Sequence, residues 1–219
     1  MKKYLIFFGL MLGPCFRSVC QDIVTSASRF VGLLDSTQRS IAILPFDTDE
    51  RYQFHYFPVN NHKGIALDQM NKDQKAAAFD LIKSCLSDHS ASQVADIMKL
   101  EILLKNLENR KADDHFRDSE KYFFTIFGLP ANNNIWGWRV DGHHVCFSFY
   151  VQDKKLISGT PGFMGSNPSV IQDGPEKGKE ILKPEKELAF ALLNSLSPDQ
   201  LKKAIFQKDA PGDIITRID

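Results

Sequence analysis

The chain has 219 residues, is 43% hydrophobic and 25% charged, and balances 27 basic against 27 acidic residues. That composition belongs to folded globular proteins and excludes disordered and fibrous classes. With no block of Lys/Arg, nucleic acid is not an expected partner, since phosphate binding needs clustered positive charge.

Residues 1–20 differ from the rest. "MKK" is a short basic start, "YLIFFGLML" is an apolar run too short to span a bilayer as a helix, and "RSVCQD" follows with small side chains. This is the layout of a signal peptide cut before Gln21, with Ser18 and Cys20 at the −3 and −1 positions. It places the protein outside the cytoplasm, periplasmic or secreted. Pro14 before Cys15 and Arg17 before Cys20 are poor surroundings for lipidation. Cleavage removes Lys2, Lys3 and Arg17 and no acid, leaving a slightly acidic chain. Cys85 and Cys146 remain, as a disulfide or as buried thiols. No later apolar run approaches membrane-spanning length. Residues 21–219 read as one domain, since domains commonly run to ~100–200 residues. The 17 Phe residues can fill its core.

In chain order, "DIVTSASRFVGLLDSTQRSIAI" has helical spacing at Phe30, Leu33, Leu34 and Ile41 and ends at Pro45. "RYQFHYFP" alternates aromatics at Tyr52, Phe54 and Tyr56, which predicts a strand closed by Pro58. "VNNHKG" is a loop. Two helices follow between Leu67 and Lys111, broken near Ser87–Ser90. Ser90 and Gln93 suggest a capping box for the second, and Val94, Ile97, Met98, Ile102 and Leu104 form its apolar face. "DSEKYFFTIFG" is helix or strand on periodicity alone. "IWGWRV" and "HHVCFSFYV" flank Asp141-Gly142, a strong hairpin signal, and "QDKK" turns into a further strand at "LISGT". "PGFMGSNPSVIQDGPEKGK" is a long loop of the functional or disordered kind. Two helices end the chain, near Pro184 and Ser197-Pro198. The phrases "LLDSTQRSIA", "LDQMNKDQKAAA" and "LLNSLSPDQLKKAI" repeat one helix-start design without the fixed period of a solenoid.

Chemistry-bearing residues concentrate in "WGWRVDGHHVCF", residues 136–147. His143 and His144 are adjacent. On a regular strand they point to opposite faces, with His143 on the face of Val145 and Phe147. Either imidazole suits general-base work near neutral pH. His55 in "QFHYF" is the companion for a divalent metal such as zinc, with His143, but no compact ligand spacing occurs. Arg139 in the Trp-rich strand suits an anionic or polar ligand, with Trp138 as an apolar wall; the plain alternative is an ion pair with Asp141. In "HFRDSEKY", Arg117 is a further cation and Asp118 reads as an N-cap or a site carboxylate. Ser166 and Asn167 in "GSNP" lie on a loop able to present N–H groups to an anion, or simply form a turn. No G-x-S-x-G is present, and Cys146, mid-strand beside Phe147, is an unattractive nucleophile.

The run "WGWRVDGHH", "TPGFMGSNP", "GKEIL", "LLNSLSPDQ" resembles a bacterial family catalogued only as domain of unknown function number 3500, over most of the chain after residue 20. "RDSEKYFFTIFG" resembles its Arg-Asp element before Phe-Gly; Lys63 stands where its pattern leads one to expect arginine. The resemblance implies that Arg117, Asp118, Trp138, Arg139, His143, His144 and Asn167 occupy the family's motif positions. It implies no activity. The expected fold is α+β: an antiparallel meander of roughly three to five strands from residues 52–57 and 135–160, packed against N- and C-terminal helices. Three functions follow: a hydrolase acting on a small polar or anionic substrate with His143 or His144 as base and Arg117 and Arg139 as substrate anchors; a non-catalytic binder of a small molecule or metal; or a structural module.

Overall fold

The computed structural model describes residues 22–58, 62–207 and 209. The expected signal peptide, residues 1–20, lies outside them. The protein is α+β, with six helices and a seven-stranded mixed sheet among the described residues. The helices are α1 (Ile23–Leu33), α2 (Ser36–Ala42), α3 (Lys72–Lys83), α4 (Asp88–Leu107), α5 (Lys183–Ser195) and α6 (Pro198–Ala204). The helix expected to run unbroken to Pro45 is split at Asp35. The Asp35 carboxylate accepts from the Gln38 amide, and the Gln38 side chain accepts from the Asp35 amide. The same reciprocal cap starts α3 through Asn71 and Gln74, and α6 through Ser197 and Gln200. The recurring Gln phrase is therefore three capping boxes, each satisfying N–H groups that a helix start leaves orphaned. α4 departs from expectation: its cap is Ser87, accepting from the Ser90 amide at 3.1 Å.

The strands are β1 (Ile43–Leu44), β2 (Ile65–Ala66), β3 (Phe123–Phe127), β4 (Ile135–Gly142), β5 (Val145–Gln152), β6 (Lys155–Ser158) and β7 (Gly162–Met164). β3, β4 and β5 form an antiparallel centre. Two short strands share each outer edge: β1 (parallel) and β2 lie on β3, and β6 and β7 lie on β5. Strand alternation divides the side chains. Trp136, Trp138 and Val140 of β4 and Val145, Phe147, Phe149 and Val151 of β5 pack into one core with Phe30, Leu81, Ile82, Val94 and Ile97 from α1, α3 and α4. Thr125, Arg139, Asp141, Cys146 and Ser148 occupy the opposite face and are also buried.

Their cover is the segment expected to be a strand at 52–57. It forms a 3-10 turn (Asp49–Tyr52) and then runs without a strand partner. Its carbonyls serve side chains and the hairpin loop instead of a ladder. Arg139 Nη1 donates to Glu50 O at 2.7 Å and Gln53 O at 3.1 Å, and the Tyr150 hydroxyl donates to Arg51 O at 3.0 Å. The His144 amide donates to Tyr56 O at 2.9 Å. This strap ties residues 50–56 across the polar face.

The β4–β5 hairpin forms, but its two-residue loop is His143-His144, not Asp141-Gly142. Gly142 pairs with Val145 inside the ladder, and His144 takes the left-handed conformation at φ 61°. Gly142 is needed within the strand because a Cβ there would lie 2.4 Å from Tyr122 Cδ1 and 2.9 Å from Lys121 O. Gly142→Ala is expected to destabilise the protein by about 1–3 kcal/mol through this overpacking. A lowered urea midpoint checks it, and an unchanged one contradicts the close approach.

Helices stand at both ends of the chain, as expected. Neither α5 nor α6 has a buried residue, and Leu188, Phe190 and Leu192 spread around α5 and do not form one stripe. α5 is tethered at its start, where Gln93 Nε2 of α4 donates to Ile181 O and Glu185 Oε1. Among the described residues no helix is long and apolar enough to cross a membrane.

Candidate active site

The hairpin loop brings His143 against α4. Its Nδ1 meets Glu101 Oε1 in a short contact, and its carbonyl accepts from the Tyr122 hydroxyl at 2.9 Å. A carboxylate only accepts, so Nδ1 carries the proton and Nε2 holds the lone pair. Arg117 Nη1 lies 3.1 Å from His143 Nδ1 and 3.7 Å from Glu101 Oε2. The rest of its guanidinium is taken by Glu108, with Nη2–Oε1 at 2.7 Å and Nε–Oε1 at 3.0 Å. Hydrogen bonds from Arg117 hold the Glu108 carboxyl down to about 2, outweighing what burial does. Arg117 is thus balanced by two carboxylates and holds Glu101, the acceptor for His143; it has little left for a substrate.

A second carboxylate–imidazole pair lies next to the first along β4. His62 Nδ1 donates to Asp141 Oδ2 at 2.9 Å, with both side chains buried. The His62 ring also stacks on Phe123, centroids 5.1 Å apart. Behind Asp141 stands Arg139, whose Nη2 donates to Glu50 Oε1 at 2.7 Å. Arg139 Nε is 3.1 Å from Asp141 Oδ2 but off the hydrogen-bonding direction, so this is a charge contact without a directed bond. Asp141 Oδ1 has no donor among the described residues.

Both imidazoles line one narrow cleft of about 10 Å³, together with Glu101, Asp118, Lys121 and the Gly142 backbone. A space of this size holds about one water molecule, so a substrate has to lie at its mouth. Carboxylate–imidazole pairs fix a tautomer and stabilise the imidazolium that forms when Nε2 takes a proton.

His144 leans on His143, ring centroids 4.0 Å apart, so the two imidazoles share one side of the hairpin end instead of pointing apart as on a regular strand. Burial, then His143 and Arg117, push His144 down to about 4. Its folded value lies below the ordinary 6.5, so between about 6.5 and about 4 the unfolded chain binds the extra proton. Stability therefore falls as pH drops through that window. Urea midpoints at pH 7 and pH 5 are expected to differ less in His144→Gln than in the unmodified protein; an equal difference contradicts this assignment.

The remaining expected residues are dispersed. Asp118 lines the cleft and accepts from the Glu120 amide at 2.9 Å, capping a turn before β3. Trp138 is buried on the helix side, stacked on Phe149 at 4.7 Å, and does not reach the cleft. Arg139 is buried beneath the strap and touches the site only through Asp141. Asn167 is exposed before a cis Pro168; its loop approaches the site at Gly165, whose amide donates to His144 O. His55 is exposed, its ring 5.9 Å from that of His62. The described residues contain no cluster of three or more His, Cys, Asp or Glu side chains placed to hold a metal ion, so His55 and His143 are not gathered into one. Cys85 and Cys146 are not joined to each other in a disulfide; burial, then Asp141, push Cys146 up to about 12, which unfits it as a nucleophile.

Sequence reasoning passed over Glu101, Glu108 and His62. Glu101 had a signal: it falls on the helical stripe of Val94, Ile97, Met98 and Leu104, a carboxylate where a core residue belongs. It is 3% exposed, whereas Ile102, assigned to that stripe, is 56% exposed. His62 sat in a stretch read only as loop.

No curated protein and no solved structure matches the chain. The family described as "Protein of unknown function (DUF3500)" matches it over residues 17–219. The chain belongs to that family.

Proposed function

We propose that this protein is an exported enzyme of the hydrolytic class, working by general acid–base catalysis on a small polar or anionic substrate. The observation that carries the reading is the pair of buried carboxylate–imidazole couples, Glu101–His143 and Asp141–His62, lining a single cleft. His143 Nε2 takes a proton from water as it attacks, and Glu101 stabilises the imidazolium. His62 is the second proton carrier, its Asp141 partner held by Arg139. Lys121 and Asp118 border the entrance and select polar groups. Arg117 and Glu108 are positioning residues. Export rests on the basic-then-apolar start of the chain.

The test is turnover across a panel of ester, amide, phosphoester and glycoside substrates, comparing the unmodified protein with His143→Ala and His62→Ala. Loss of an observed turnover in both supports the proposal; unchanged turnover in both ends it. For export, protein recovered from the cell envelope should begin at Gln21, and an intact Met1 contradicts cleavage.

A further inference from the structure

At the far end of β4 and β5 from the His143 loop, the strap and the sheet edge enclose an open hollow of about 610 Å³. That is on the scale of small-molecule sites, ~300–1,000 Å³. Its walls are Phe46, Tyr52 and Tyr150 on one side and Ile135, Ile157 and Pro161 on the other. Ile135, Ile157 and Tyr52 are 44%, 53% and 55% exposed, an apolar surface left facing water.

One cation stands in this wall. The Arg51 guanidinium carbon is 4.5 Å from the centre of the Phe46 ring, 4.3 Å from that of Tyr52 and 6.0 Å from that of Tyr150. Arg51 differs from every other described arginine. Arg29, Arg110, Arg117 and Arg139 each meet a carboxylate, and Arg39 gives its N–H groups to the Val31 and Gly32 carbonyls. Arg51 has no carboxylate among the described residues; it bonds only the Tyr52 hydroxyl, and its Nε is buried without an acceptor. Stacking on the rings leaves Nη1 of the guanidinium to meet a carboxylate through a single charge-assisted hydrogen bond. Tyr150 holds the arginine's backbone in place through its hydrogen bond to Arg51 O.

We propose that this hollow binds a small soluble carboxylate with an apolar or aromatic body. The carboxylate pairs with Arg51, and the body covers Ile135, Ile157 and Tyr52. Charge complementarity selects this occupant: the wall supplies one unpaired cation and no acid. The site is independent of the cleft at His143.

Isothermal titration calorimetry with 4-phenylbutanoate and its uncharged analogue 4-phenylbutan-1-ol tests it. A charge-assisted hydrogen bond is worth about tenfold or more in affinity, so the unmodified protein should prefer the carboxylate by about that factor. Arg51→Gln should erase the preference, and Ile157→Asp should weaken both ligands. Both side chains are at least partly exposed, and circular dichroism checks that the variants fold. His143→Ala should change neither ligand's binding, which separates this result from the fate of the proposed hydrolytic cleft. No binding of 4-phenylbutanoate at millimolar concentration, a preference for the carboxylate that survives Arg51→Gln, or loss of binding in His143→Ala overturns the proposal.

Discussion

Arg139→Met lowers the unfolding free energy by about 3–5 kcal/mol, the cost of leaving buried charge without its partner. Arg139 lies between Glu50 and Asp141 and also satisfies two strap carbonyls. Removing it leaves the Asp141 carboxylate in a protein interior with only His62 as partner, and frees residues 50–53 from the sheet. Asp141→Leu added to Arg139→Met should recover much of the loss, since an apolar replacement of both partners removes the stranded charge. The exposed pair Lys183–Glu187 sets the contrast: Glu187→Gln should cost no more than about 1 kcal/mol. Urea unfolding of the four proteins checks the ranking. An Arg139→Met protein as stable as the unmodified one would show that Glu50, Asp141 and His62 do not depend on it.

The second large effect is on turnover. His143→Ala is expected to lower kcat by about 10²–10⁴-fold, the usual contribution of a positioned base. Glu101→Gln keeps the shape of the contact but removes the charge that supports the imidazolium, so its loss should fall on kcat with KM little changed. Both are read against a substrate found on the panel. Arg117→Lys should weaken activity less than His143→Ala, because Lys keeps a charge beside Glu108 but cannot fork between Glu108 and Glu101. A His143→Ala protein that turns over normally removes the base from the account.

What could be read in the sequence, and what could not, follows the range of the forces involved. The strand alternation around Phe147, Phe149 and Val151 was legible because it is a local period. The three Gln-containing caps were legible as one design because each closes within four residues. The position of the hairpin turn was not. Asp141-Gly142 carries the local turn signal, but Tyr122, about twenty residues earlier in the chain, occupies the space over Gly142, and His62 claims Asp141 from a distant loop. The aromatic alternation at 52–57 failed for a similar reason: an arginine from β4 takes the carbonyls that a strand would pair. The α+β class and the β4–β5 hairpin were within reach of local pattern. The Glu101 partner of His143 was visible only as an anomaly, an acid on an apolar stripe.

The most direct test of the two-couple cleft is the protonation pattern of its imidazoles, read by long-range ¹H–¹⁵N NMR on uniformly labelled protein near neutral pH. Glu101 accepts from Nδ1–H, so the neutral ring of His143 should appear as the Nδ1-protonated tautomer, and Glu101→Gln should perturb His143 without altering His62. A neutral His143 protonated at Nε2 would mean that its ring does not present a free Nε2 to the cleft, and would contradict the account at its centre.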